Sequence, residues 1–527
     1  MTSDPPHPAG PADGPPLPGG APAPGASPAA LDDESDQVRA RLAKLSALRA
    51  AGVEPYPPDA PAAAPAAELV LRFAELEGTP QAARGRVVAL RGHGKTTFLH
   101  LEDASGRIQA YVKRDDVGPE RYALLSQLDI GDFLAVEGTL FRTKTGEVTV
   151  HARSFRLLAK ALRPPPLAKE EVVDGRRVAH GGLADKELRY RRRYLDLAVN
   201  PEAREQARTR SRIVTSIRGF LDARGFLEVE TPVLQPLYGG AAARPFVTHH
   251  RALDTRLYLR IADELYLKRL IVGGLERVYE IGKDFRNEGM DRTHNPEFTM
   301  LELYQAYADY HDMMEITEQL VAGLVREIRG GSTLTYQGAT ADVTPPWPRL
   351  PFLEAVRRHT GQALDDLGRE SVAAAAARLG VEVEPGMGAA KILDEIFKAR
   401  VEEHLVGPVF ITDHPKELSP LAKQHRADPR LVERFESFLF GTEFGNAFTE
   451  LNDPLDQRRR FEAQRELLAH GDEEAHALDE DFLRALEHGM PPTGGLGIGV
   501  DRLVMFLTDA PSIRDVILFP HMRPEGA

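Results

Sequence analysis

Cysteine is absent from this chain. That excludes disulfides, thiolate nucleophiles and cysteine-ligated zinc. No uninterrupted apolar run reaches the length needed to cross a bilayer, so a membrane-spanning protein is excluded as well. The first residues have neither the basic start nor the apolar middle of a secretory leader, and the expectation is a cytoplasmic protein. An excess of positive charge is also missing: the formal net charge is −13. Phosphate backbones favour basic surfaces, but local patches decide binding rather than the whole-chain sum. Arg189 to Tyr194 forms a basic run with interleaved tyrosines, and Arg84, Arg86, Arg91 and Lys95 form a second cluster. Each reads first as a solvated face.

At 527 residues, two or three domains are expected. Residues 1–34 are rich in Pro and Ala and read as a disordered tail. Val38, Leu42, Leu45 and Leu48 recur at helical spacing and end at Gly52, predicting an amphipathic helix. Five β-rich runs follow between Gly85 and Leu158, with a helical stretch near Glu120–Leu128 between the third and fourth. That order suggests an OB barrel, so 35–160 is expected to form a helix plus a single-strand nucleic-acid module. Arg163-Pro164-Pro165-Pro166 begins a linker over 161–200. The remainder, 201–527, alternates helices with glycine-bounded strands and carries a helical insertion near 338–405.

Two arginine-centred segments carry the chemistry. One is Phe285-Arg286-Asn287-Glu288-Gly289, followed by His294-Asn295-Pro296-Glu297-Phe298; the other is Gly494-Gly495-Leu496-Gly497-Ile498-Gly499-Val500-Asp501-Arg502. The first sets a forked, permanently charged donor beside a carboxylate. The second lets backbone approach a flat base or ribose, with a charge just beyond. One site built from both would hold a nucleoside triphosphate between two guanidinium groups.

With Gly225-Phe226-Leu227-Glu228-Val229-Glu230-Thr231-Pro232, the stretch Gly239 to Phe246 and Glu450-Leu451-Asn452-Asp453, these segments resemble the signatures of class II lysyl-tRNA synthetases of the bacterial type. The resemblance runs from about residue 38 to Pro524. It implies an α+β protein: an N-terminal OB-fold barrel, then a class II catalytic domain with an antiparallel sheet flanked by helices. It also implies a homodimer interface at the first signature, and a two-step reaction of L-lysine, ATP and lysine tRNA.

On this reading Arg286 binds the α-phosphate and the substrate carboxylate, and Arg502 binds the γ-phosphate. Phe298 stacks on adenine, while Glu288, His294 and Asn295 make polar contacts. Glu436 and Glu443 match the family's Mg²⁺ positions. Glycines at 441 and 445 disfavour one helix through Glu436, Glu443 and Glu450 and favour a turn between strands. A buried lysine substrate needs carboxylates for its ammonium groups. Asn446, Phe448 and Glu450 alternate on one predicted strand and Glu302 and Tyr304 on another, so these five could enclose its stem and ε-ammonium. Glu264 and Gly240 would meet the α-amino group. In the barrel, the resemblance makes Phe98 a stacking candidate and Arg91, Gln109 and Glu147 polar readers of the anticodon; by position alone Phe98 is equally a core residue. An aspartyl- or asparaginyl-tRNA synthetase is opposed by the acidic pocket. A catalytically inactive RNA-binding relative is opposed by the intact Arg286, Arg502, Glu436 and Glu443.

Overall fold

The computed structural model describes residues 36–173, 176–364, 366–384, 386–469 and 477–525. The tail expected over 1–34 lies outside them. The chain divides into two compact units, Met1–Leu183 and Ala184–Ala527.

In the first unit, helix α1 (Asp36–Ala50) buries Val38, Leu45 and Leu48. Arg41 fixes it by donating to the carbonyl oxygens of Ala161 at 2.8 Å and Ile130 at 2.9 Å. Five strands follow: β1 (Pro80–His93), β2 (Thr96–Glu102), β3 (Arg107–Lys113), β4 (Phe133–Arg142) and β5 (Val148–Ala159). They close a barrel in the order β1-β2-β3-β5-β4, parallel only between β3 and β5. Val87, Leu99, Leu101, Ile108, Ala110, Val112, Val136 and Val150 fill its interior. Closure leaves no open sheet edge, and alternation gives every strand an outward face.

The segment expected as a linker carries structure of its own. Ala168–Val173 and Arg176–Gly181 pair antiparallel, and helices span Lys186–Arg191 and Arg193–Val199. The basic run there does more than coat a surface. Buried Arg193 pairs with Asp196 at 2.6 Å and donates to the carbonyl oxygens of Arg514 and Leu518, tying the C-terminal segment down.

The second unit is built on an eight-stranded sheet. Its strands are β6 (Leu227–Glu228), β7 (Arg277–Phe285), β8 (Glu297–Ala306), β9 (Arg349–Pro351), β10 (Val409–Thr412), β11 (Arg434–Leu439), β12 (Thr442–Thr449) and β13 (Thr493–Gly499). In space they run β9-β10-β11-β12-β13-β8-β7-β6, antiparallel except for the two edge strands, which pair parallel. One sheet face packs Leu301, Leu303, Phe435, Ala447, Leu496 and Ile498 against helices α2 (Pro201–Asp222), α3 (Tyr310–Arg329) and α4 (Val500–Thr508). Within the stretch expected as an insertion, helices at Phe352–Thr360, Arg369–Leu379 and Ala389–Arg400 form a separate core that reaches Ile411 and Phe438.

Candidate active site

The opposite sheet face carries the polar side chains. Alternation along β8 turns Leu301 and Leu303 into the core and leaves Phe298, Met300, Glu302 and Tyr304 on the other side. The glycine-rich run is a central strand here, not a loop. Its Leu496 and Ile498 point into the core, while Gly495 and Gly497 form a bare strip. Tyr304 and Phe448 flank Gly495, and Glu302 and Asn446 flank Gly497. A Cβ at Gly495 would collide with Glu450 Oε1 and the Tyr304 ring, and one at Gly497 with Glu302. The missing side chains therefore make the room into which the pocket residues fold.

Glu436 and Glu443 lie on a hairpin whose turn, Phe440 and Gly441, has positive φ at both residues (54° and 68°). This matches the expected turn between strands and the primed geometry two-residue hairpins favour. A bulge then puts Glu443 opposite Phe438, although Gly445 is opposite Ser437. The extra residue sends Phe444 into the core and leaves Glu443 on the same face as Glu436 and Asn446. Burial raises both carboxyls, and Glu436 adds to the shift at Glu443. Glu402 is pushed up to about 7 by burial and by these two neighbours. Hard oxygen donors whose charge the neighbouring arginines only partly offset suit Mg²⁺, which takes one or two carboxylates and completes its shell with water and phosphate. Among the described residues no three acidic or His side chains form a complete protein cage.

Arg502, two residues into α4, reaches both arginine-centred segments. It donates to Glu443 O at 2.5 Å and lies 3.2 Å from His294 Nε2. His294 Nδ1 contacts Asp291 at 2.8 Å. Partial burial pushes the Asp291 carboxyl up, but hydrogen bonds from Thr293 and His294 outweigh it and hold the group at about 2. Asp501 locks the assembly: it accepts from Thr299 N at 2.7 Å and pairs with Arg210 of α2 at 2.6 Å. Arg286 lies over the Phe298 ring, 5.1 Å from its centroid, and its Nε is buried without a hydrogen-bond partner. Asn295 donates to Glu297 O at 2.6 Å and keeps a buried, unpartnered Oδ1. Glu288 is exposed in the loop beyond Arg286.

At the other end, helix α5 begins at Glu264 and runs to Val272. Gly240, at φ +91°, packs on it so closely that a Cβ would stand 3.3 Å from Glu264 Cβ. Tyr304 donates to Glu302 at 3.2 Å. Lys268, one helical turn after Glu264, contacts Glu264 Oε1 at 2.5 Å and also Glu450. Burial opposes its charge, but the two carboxylates outweigh burial and raise its pKa. Three buried carboxyls cannot all ionise around one ammonium. Burial raises Glu302 well above its ordinary range, and burial together with Glu264 holds Glu450 at about 8.

All the candidates in the catalytic unit thus fall on one sheet face or at its rim, from Gly240 and Glu264 to Arg502. Two residues escaped the sequence reasoning. Arg434, two before Glu436 on β11, pairs with Glu436 and donates to Asn446 Oδ1 at 2.9 Å. Period-two spacing from Glu436 was the available signal. For Lys268 the signal was i,i+4 spacing from Glu264 on the same helix.

On the barrel, Phe98 faces outward, since Leu99 and Leu101 on the same strand fill the interior. It packs 4.8 Å from Tyr111 and sits opposite Arg91. Gln109 donates to Glu147 at 2.6 Å and accepts from Thr149 at 2.9 Å, while His100 meets Glu147 at 2.8 Å. Tyr111, Phe141 and His151 extend the aromatic patch, which sequence alone did not single out.

Two family models match the chain: "tRNA synthetases class II (D, K and N)" over residues 185–523 and "OB-fold nucleic acid binding domain" over 83–158. The chain belongs to the class II tRNA synthetases. This synthetase is similar to the lysine–tRNA ligase of Moorella thermoacetica, 56% identical over 94% of this chain and 99% of that protein. Lysine–tRNA ligases of Roseiflexus castenholzii, 54% identical over 92% and 98%, and Carboxydothermus hydrogenoformans, 53% identical over 93% and 98%, are similar to it as well.

Proposed function

We infer that this chain activates L-lysine with ATP and transfers the lysyl group to the 3′ end of a lysine tRNA. The observation that carries the reading is the pocket of Glu264, Glu302 and Glu450 beside the bare strip of Gly495 and Gly497. It offers buried negative charge at two points, as a substrate with two ammonium groups requires. An aspartate or asparagine side chain there would leave those carboxyls without a partner.

In the first step an oxygen of the lysine carboxylate attacks the α-phosphorus. The bond to the β-phosphate oxygen breaks, giving lysyl-adenylate and pyrophosphate. In the second, a ribose hydroxyl of the terminal tRNA nucleotide attacks the lysyl carbonyl, loses its proton and expels AMP. No protein nucleophile is needed, because positioning and charge stabilisation suffice. Arg286 holds the substrate carboxylate against the α-phosphate, its buried Nε being available for a partner. Arg502 holds the γ-phosphate, braced by His294 and Glu443. Phe298 stacks on the adenine, with Glu288, His294 and Asn295 as polar contacts. Tyr304, Asn446 and Phe448 line the lysine stem, Glu450 and Glu302 take the ε-ammonium, and Glu264 with the Gly240 backbone takes the α-amino group. Glu436 and Glu443 would hold Mg²⁺, which supplies charge neutralisation on the phosphate oxygens when bound.

Arg91, Phe98, Gln109 and Glu147 would read anticodon bases on the barrel face. Exposed Leu227, Leu234, Leu237 and Val247, in and after the first signature, support a homodimer interface. A cytoplasmic location suits a translation enzyme, and no helix of the described residues is long and apolar enough to cross a membrane. The test is amino-acid-dependent exchange of labelled pyrophosphate into ATP with Mg²⁺, each amino acid supplied separately. Exchange with lysine alone is expected; exchange with aspartate or asparagine instead, or with none, overturns the reading.

A further inference from the structure

Lys268 takes no part in the reaction described above, yet its ammonium lies at the centre of the amino-acid pocket. The side chain is 0% exposed. It divides its contacts between Glu264, on its own helix, and Glu450, just past the end of β12. Each carboxylate gives it one oxygen, Glu264 Oε1 and Glu450 Oε2. The second oxygen of Glu450, Oε1, is buried without a hydrogen-bond partner and lies over Gly495, in the room the missing side chain leaves to Glu450 and the Tyr304 ring.

A buried acceptor left unpaired costs free energy unless a ligand supplies the donor. Charge balance points to the same ligand. Glu264 and Glu450 share one resident ammonium, with Glu302 as a third carboxyl beside them, so the pocket favours a ligand that brings further positive charge. Lysine brings two ammonium groups, whereas an amino acid with a neutral side chain of the same length brings one.

We propose that Lys268 is a positioning residue for amino-acid selection: by clamping one oxygen each of Glu264 and Glu450, it leaves their other oxygens to receive the two ammonium groups of the substrate. The proposal rests on the reading of lysine activation. Lys268 acts through the carboxylates and touches no reacting atom. Its reach from a rigid helix to the end of a strand also fixes the separation of the two carboxylates. The pocket thereby measures the length of the substrate as well as its charge.

The test compares the full-length wild type with Lys268→Met, Lys268→Gln and Lys268→Arg in pyrophosphate exchange, using lysine and norleucine as substrates and thermal melting to check folding. For Lys268→Met the KM for lysine should rise about 100-fold or more, the scale expected when one partner of a buried ionic group is removed. The KM for ATP should stay within about twofold, and the preference for lysine over norleucine in kcat/KM should fall at least about tenfold. Lys268→Arg, which keeps the charge, should recover most of that preference. If Lys268→Met is not recovered folded, Lys268→Gln carries the same expectations. An unchanged or lowered lysine KM in the neutral variant overturns the proposal, because it makes Lys268 a bystander or a competitor of the substrate. Equal rises in lysine and ATP KM with intact preference also overturn it, since they mark a general structural role. Wild-type enzyme that does not exchange with lysine would instead sink the functional reading beneath it.

Discussion

The barrel face and the catalytic sheet face are built by the same device and differ in what surrounds it. In both, alternate residues of a strand fill a core and the residues between them form the site: Leu99 against Phe98 on β2, Leu303 against Glu302 on β8. On the barrel the outer face stays open, and its polar groups satisfy one another, as Gln109, Glu147 and His100 do. Such a face is suited to stacking and edge hydrogen bonds with flexible bases. On the catalytic sheet, helices, loops and the insertion cover the face, so charge is buried there. Glu302, Glu450 and Lys268 are displaced from their ordinary pKa ranges, and buried atoms such as Arg286 Nε and Glu450 Oε1 stand without partners. Burial makes each charge an expensive, hence selective, contact.

The comparison can be broken most sharply at Arg286. Arg286→Ala should lower the rate of adenylate formation about 10²- to 10³-fold in single-turnover measurements, the scale for losing one preorganised charge donor. Glu450→Gln should reduce kcat/KM for lysine about 100-fold and change ATP binding far less; equal losses in both would detach Glu450 from the amino acid. The two faces of β13 give a finer contrast. Leu496→Ala, in the core, should cost about 2–5 kcal/mol of stability in denaturant unfolding, while the surviving folded enzyme keeps its amino-acid preference. Gly495→Ala, on the bare strip, should instead raise the KM for lysine, because its Cβ invades the space held by Glu450 and Tyr304. On the barrel, Phe98→Ala should weaken tRNA binding by about 1–3 kcal/mol, the loss of one stacked base, and leave pyrophosphate exchange unaltered.

The smallest effect is a pH dependence of stability. Burial and Glu264 raise Glu450 from the 4.5 of an ordinary glutamate to about 8. Its folded form therefore holds a proton that the unfolded chain has released, and stability should fall as pH rises from about 5 to about 8. Thermal melts across that window, without lysine, should show the decline, and Glu450→Gln should make it shallower, the remainder coming from raised carboxyls such as Glu302 and Glu402.

Much of this site was legible as pattern. Period-two spacing was enough to put Glu302 with Tyr304, and Asn446 with Phe448, on common faces, and Gly441 with Gly445 was enough to turn a run of glutamates into a hairpin. Helical spacing likewise located α1 from Val38, Leu45 and Leu48. The segment 161–200 shows the limit of such reading. Its prolines mark a stiff linker start, but nothing local says that Arg193 will be buried against carbonyl groups more than three hundred residues away.

The sequence by itself determined the kinds of groups available and the face each would occupy, because strand and helix periods are local properties of the backbone. It also determined the family, through signatures that keep their order along the chain. Only the tertiary structure decided which faces meet. A central glycine strand brings Glu302 from one neighbour and Asn446 from the other over the same bare strip. A single bulged residue at Phe444 decides that Glu443 joins Glu436 rather than the core. Lys268 becomes the counter-ion of two carboxylates only when the end of β12 arrives beside α5. These are long-range consequences of register and packing, and an ammonium stays charged in such an interior only because those distant carboxylates are carried to it.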